Sequence, residues 1–222
     1  MSEGIRLYHK KKYRQALEFF LAVEVEPEEQ SKLSYYLGLC YTHLGKNDEA
    51  LLYLEQVVAS DIGFLQIYQA RMIMGYIYAV TKRYRLAEFE LNRLLEDGYE
   101  SAKGYAALAY ALYAQGKTAA AISNLEKALR LDRNNANALN SMGFILSEQN
   151  IQPATALEYC RRATELKPQN PAYLDSLALA YRRNGRMQDA KTIYERALRL
   201  SGGNREIAEH YKELLRSAGV SV

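Results

Sequence analysis

Gly116, Lys117 and Thr118 stand in the order that closes a phosphate-binding loop, where backbone N–H groups cradle phosphate and the lysine reaches its outer oxygens. Such a loop needs a further glycine at position 111. Ala111 stands there, inside a helical pattern rather than at a strand-to-helix turn, so a nucleotide site is not expected. The histidines His9, His43 and His210 are far apart and lack the HExxH or Cys-x-x-Cys companions of a metal site. Cys40 and Cys160 have no paired spacing and fall in apolar helical patterns, where a free cysteine packs as a small hydrophobe. The carboxylates are spread along polar helix faces and form no dyad. No catalytic, cofactor-binding or metal-binding set is expected, and the chain reads as a non-enzyme without a cofactor.

Four basic clusters remain: Lys10, Lys11 and Lys12 with Arg14; Lys82 and Arg83 with Arg85; Arg161 and Arg162; and Arg182 and Arg183 with Arg186. Most fall at turns or helix ends, where cations suit a helix C-terminus, and no set of base-reading side chains recurs. They read as solvated edges, without a nucleic-acid partner. Lys plus Arg total 29 against 26 for Asp plus Glu, and a net charge of +3 selects no partner class. No apolar run approaches the roughly 18 residues of a membrane span, so membrane insertion is not expected. Residues 1–12 are polar and basic, unlike a secretory signal. The chain reads as soluble, with the compartment, cytoplasmic or periplasmic, left open because a removed signal or anchor leaves no trace.

The elements that would position any site are set by an internal period. Pro occurs only 4 times and Trp is absent, leaving long stretches of good helix formers. Ala16, Ala50, Ala87, Ala121, Ala156 and Ala190 are separated by 34, 37, 34, 35 and 34 residues, and each is followed one helical turn later by Phe20, Leu54, Leu91, Leu125, Cys160 or Tyr194. Upstream, in five of the six units, comes a small residue between large ones: Leu37-Gly38 with Tyr41, Met74-Gly75 with Tyr78, Leu108-Ala109 with Leu112, Met142-Gly143 with Leu146, and Leu177-Ala178 with Tyr181. The small residue admits a neighbouring helix and the large ones fill the remaining space. Gly45, Gly116, Gly185 and Asn150 mark the turn within a unit, and Ser101, Asn135 and Asn170 are helix N-caps.

In register over nearly the whole chain, these residues resemble the tetratricopeptide repeat family, in a style similar to bacterial members. The resemblance implies an all-α, right-handed superhelical solenoid of about six helix-turn-helix hairpins. They are bounded at approximately 1–28, 31–64, 68–100, 102–134, 136–169 and 171–204, with a capping helix and tail over 205–222. In the cap, Ile207, Tyr211, Leu214 and Leu215 form one apolar stripe. The 37-residue interval predicts an insertion of three near residues 60–64, loosening or re-aiming the contact between the second and third hairpins. Gly4 occupies the small-residue site of the first helix with about one turn before it. That helix is either short by nature or the remainder of a longer chain, and truncation is slightly favoured.

The resemblance also implies that first helices line a concave face that binds protein or peptide. On that face lie Tyr35 and Leu39, then Met72 and Tyr76, then Ala106, Tyr110 and Tyr113, then Asn140 and Phe144, then Asp175, Leu179 and Arg182. Of 19 tyrosines, 14 lie between Tyr8 and Tyr113, so the face is aromatic early and more polar late. Family clamps for a C-terminal carboxylate use Lys, Asn and Arg where this chain has Tyr35, Leu39, Tyr76, Ala106 and Tyr110, which sets an acidic chaperone tail aside. The expected function is a scaffold or adaptor holding a partner's peptide or helix in an aromatic groove. Two alternatives are a structural or assembly subunit, as in a bacterial envelope or motility complex, self-associating through the incomplete first hairpin, and a regulatory module of a multidomain enzyme.

Overall fold

The structure, a computed structural model, describes residues 1–217, and among these all regular structure is helical. The chain divides between Glu100 and Ser101 into two compact units. Unit 1 holds α1 (Ser2–His9), α2 (Tyr13–Ala22), α3 (Gln30–His43), α4 (Asn47–Val58), α5 (Phe64–Val80) and α6 (Tyr84–Glu96), with a 3-10 turn at Pro27–Glu29. Unit 2 holds α7 (Ala102–Tyr113), α8 (Thr118–Leu131), α9 (Ala136–Glu148), α10 (Pro153–Leu166), α11 (Pro171–Arg183), α12 (Met187–Leu200) and α13 (Arg205–Ser217). Each consecutive pair from α1–α2 to α11–α12 packs as a hairpin, giving three hairpins per unit.

The periodic residues build the interior. Ala16, Ala50, Ala87, Ala121, Ala156 and Ala190 are completely buried, as are Leu54, Leu91, Leu125 and Cys160 one turn later. A methyl group at Gly38 or Gly75 would strike Leu54 or Leu91 of the paired helix at 2.8 Å, so the small residue sets how closely the two helices approach. Both cysteines are free and buried, and burial pushes the pKa of each thiol up to about 12, which suppresses the reactive thiolate.

Every hairpin turns through a residue in the left-handed region, and the fifth through two, Asn150 and Gln152. Gly45, Gly116, Gly185 and Asn150 do so as expected, and Lys11 and Lys82 fill the same place in the first and third hairpins. A lysine there carries a steric cost of about 1 kcal/mol that glycine avoids. Ser101, Asn135 and Asn170 accept hydrogen bonds from the first-turn N–H groups of α7, α9 and α11. Gly116-Lys117 is thus a hairpin turn between α7 and α8, and the completely buried Ala111 belongs to the α7 core.

The residues inserted between the second and third hairpins are helical. α5 starts 11 residues before Gly75, whereas α3 starts 8 before Gly38, so the insertion is absorbed as an added N-terminal turn. Helix continuation satisfies backbone groups that a loop would leave to water, and α4 remains packed on α5. The third hairpin therefore begins at Phe64 rather than at 68.

α13 closes unit 2. Its Ile207 and Leu214 are buried among Leu174, Ala178, Ala190, Tyr194 and Ala197, with Tyr211 against the ring of Tyr194. Asn204 accepts from the N–H groups of Glu206 and Ile207, so an asparagine cap recurs at 135, 170 and 204. Residues 218–222 of the tail expected over 205–222 lie outside the described residues.

Candidate partner-binding groove

The face positions named from the sequence fall into different environments. In unit 1, Tyr35 is half-buried and donates its hydroxyl hydrogen bond to Gln69 on α5, Leu39 is buried, and Met72 is half-buried. Tyr76 is 61% exposed. In unit 2, Tyr110 is 51% exposed, Tyr113 and Phe144 meet edge to face at 6.1 Å, and Asn140 is half-buried. Ala106 and Leu179 are buried in the packing. Leu39 and Leu179 therefore back the face and offer little contact area, because neighbouring helices cover their side chains.

Unit 2 contains a groove of about 710 Å³. Tyr110 and Tyr113 of α7 form one side, Asn140, Ser141, Phe144 and Ile145 of α9 the floor, and Asn170, Pro171, Ala172, Asp175 and Ser176 the facing side. Ser201, Asn204, Glu206 and Ile207 close its end. Five of the residues named from the sequence, Tyr110, Tyr113, Asn140, Phe144 and Asp175, come together here, whereas Leu179 and Arg182 do not line it. Tyr35 borders a separate hollow in unit 1, of about 540 Å³, with Pro27, Glu28, Lys32, Asp61 and Gln66. The contributions of Ser141, Asn170, Asn204 and Ile207 were not expected. The recurring asparagine cap marked two of them in the sequence; that α13 would fold back to the groove had no local signal.

The polar end of the face is occupied by the cap. His210 Nδ1 lies 3.0 Å from Asp175 Oδ1, and Arg182 Nη1 lies 3.4 Å from Glu213 Oε2. The hydrogen bond to Asp175 raises the His210 pKa above the ordinary histidine value against the desolvation that lowers it, with Glu206 and Glu213 adding to the rise. A raised folded-state pKa means that this pair's stabilisation is complete below the unfolded histidine value of about 6.5 and is lost as pH rises through the folded value. His43 is shifted the opposite way by desolvation, so it titrates with the opposite sign. The melting-temperature gap between the wild type and His210→Gln should therefore be widest at acid pH and shrink as pH rises. A pH-independent gap would remove the His210–Asp175 pair as its cause.

Rings, amides and the carboxylates of Asp175 and Glu206 equip the groove for contact and hydrogen bonding with a chain laid across it. No group of three or more His, Cys, Asp or Glu side chains that could hold a metal occurs among the described residues. No helix among them is long and apolar enough to cross a membrane.

Comparison with known proteins agrees with the hairpin architecture. The family model described as "Tetratricopeptide repeat" matches residues 2–63, 44–103 and 148–205, and a "TPR repeat" model matches residues 109–150. A TPR repeat-containing protein of Pseudomonas aeruginosa is 32% identical over 96 residues, covering 41% of this chain and 16% of that protein. Among solved structures, a thermophilic TPR protein of Thermus thermophilus superposes with a TM-score of 0.65 at 20% identity, covering 83% of this chain and 98% of that one. YrrB, described as a TPR protein with an unusual peptide-binding site, superposes with a TM-score of 0.60 at 18% identity, covering 90% of this chain and 97% of that one. A fold of this kind supports a scaffold for protein–protein interaction. With repeat models matched along most of its length and buried small-residue anchors in every hairpin, the chain belongs to the tetratricopeptide repeat family.

Proposed function

We propose that this protein is a non-catalytic adaptor that holds a peptide or helix of a partner protein in the groove of unit 2. The observation that carries this reading is the juxtaposition of Tyr110, Tyr113 and Phe144 with Asn140, Asn170 and Asn204 around one open concavity. Rings supply large contact area at small entropic cost, while side-chain amides can pair with a peptide backbone. Among the described residues the buried Asn140 Oδ1 atom has no hydrogen-bond partner, so an amide that turns toward a bound N–H gains a bond. Of the two carboxylates that line the groove, Asp175 is engaged by His210 and Glu206 stands at the closed end, so apolar contact is the main source of affinity along the sides. YrrB, named for its peptide-binding site, lends support by fold alone.

Selection of peptides from a displayed random library against the full chain tests this directly. Recovered peptides should be rich in apolar and aromatic side chains, and Tyr110→Ala or Phe144→Ala should weaken their binding by about 1–3 kcal/mol. Because Tyr110 is half-exposed, its truncation should leave the melting temperature nearly unchanged. Undiminished affinity in a folded Tyr110→Ala, or a library that yields no binder, would remove the groove from this account.

A further inference from the structure

Unit 1 is electrically polarised along its helix axes. Antiparallel hairpins reverse at alternate ends, so the turns within hairpins share one edge and the connections between hairpins share the other. On the first edge, the Tyr8 hydroxyl lies 3.2 Å from His43 Nε2 and Tyr13 stacks on His43 at 4.0 Å, which joins the first turn to the second. Arg83 Nη2, 3.4 Å from Asp48, joins the third. On the opposite edge, Glu28 and Asp61 line one hollow, which joins the first connection to the second.

The first edge carries exposed Lys10, Lys11, Lys12, Arg14, Lys82 and Arg85, and the second carries exposed Glu24, Glu26, Glu28 and Asp61. None of these ten is in an ion pair among the described residues. Each edge also bears uncovered apolar side chains: Val80 and Leu86 on the basic one, Phe64 and Leu65 on the acidic one. Phe64 and Leu65 belong to the added first turn of α5. The helices that separate the edges, from the 8 residues of α1 to the 17 of α5, are about 12 to 26 Å long. At about 0.15 M salt the Debye length is roughly 8 Å, so the two edges do not neutralise each other within one molecule.

We propose that unit 1 pairs edge to edge with unit 1 of a second copy of this chain, the basic turn edge of one against the acidic connection edge of the next. Both complementary surfaces are on the same unit, unpaired, and each has an apolar pair to exclude water at the centre of the contact. The contact is heterologous, so each copy keeps one edge of each sign and association continues into open chains or a closed ring. It uses the outer edges of three hairpins rather than the first hairpin alone, and it does not depend on the groove of unit 2.

Sedimentation velocity of the full chain tests the pairing. At low ionic strength the sedimentation coefficient should rise with protein concentration, and at high ionic strength the rise should vanish. A variant with Lys10→Glu, Arg14→Glu, Lys82→Glu and Arg85→Glu has two acidic edges, and one with Glu24→Lys, Glu26→Lys and Glu28→Lys has two basic edges. Arg14 and Arg85 lie in the first turns of α2 and α6, where glutamate suits the helix dipole, so folding should survive, as circular dichroism would verify. Each variant alone should sediment as a monomer at low salt, and an equimolar mixture of the two should associate again. A wild type that stays monomeric at low salt, a reversed variant that associates as the wild type does, or a mixture that stays monomeric would each overturn the proposal.

Discussion

Gly143→Ala should lose about 3 kcal/mol of folding stability, although alanine favours a helix interior over glycine by about 1 kcal/mol. A Cβ at this position would lie 2.5 Å from Cys160 Sγ, 2.9 Å from the Ala156 carbonyl oxygen and 2.9 Å from the Cys160 amide nitrogen. Two of these atoms are backbone, so no rotamer change relieves the clash and α10 must move away from α9. The same substitution at Gly38 or Gly75 meets first side-chain carbons of Leu54 or Leu91, at 2.8 Å, which can shift more readily than backbone, and should cost distinctly less. Denaturant melts of the three variants side by side check the order. If Gly143→Ala melts with the wild type, the close approach of α9 and α10 does not hold in solution.

Tyr194→Ala should cost about 4 kcal/mol, as truncating a large buried aromatic commonly does. Tyr194 is 1% exposed and stands where α11, α12 and α13 meet, against Leu174, Ala190, Ile207 and Leu214. Its hydroxyl pKa is raised by burial, as expected for a phenol held away from water. Leu214→Ala removes the cap's side of the same cluster and should cost about 3 kcal/mol. The two losses should not add, because either one loosens α13 and weakens what the other residue contributes. A double-mutant cycle measures this directly. Additive losses, or a Tyr194→Ala protein as stable as the wild type, would show that α13 does not close unit 2 through this cluster.

The hairpins were legible because every signal that specifies them is local. A helix is bonded between residues four apart, its caps are one or two residues away, and its partner in the hairpin follows after a turn of a few residues. The period of Ala16 to Ala190 therefore located six buried anchors, and Gly45, Gly116, Gly185 and Asn150 located four of six turns. The remaining turns pass through Lys11 and Lys82, residues that carry no turn signature of their own. The added residues before α5 were also legible as an insertion, but their conformation was not. Phe64 and Leu65 suit a loop or a helix by type, and contact with the rest of unit 1 decided for the helix.

By itself, then, the sequence determined the element types, their pairing into hairpins and the small residues on which the pairs close. The tertiary structure alone decided which residues of a helix face remain available. Leu39 and Leu179 share a face with Tyr76 and Tyr110 by helical arithmetic, yet the leucines are covered and the tyrosines exposed. Asp175 and Arg182 read as open polar positions, yet α13 supplies His210 and Glu213 to them. The basic clusters near residues 10 and 82 read as separate solvated turns, yet contacts through His43 and Asp48 bring them to one edge. The physical reason is the same in each case. These relations join residues 31 to 35 positions apart, across the interface between one hairpin and the next. The repeat length sets how often such interfaces recur, and only packing sets the rotation and offset that determine which side chains meet across them.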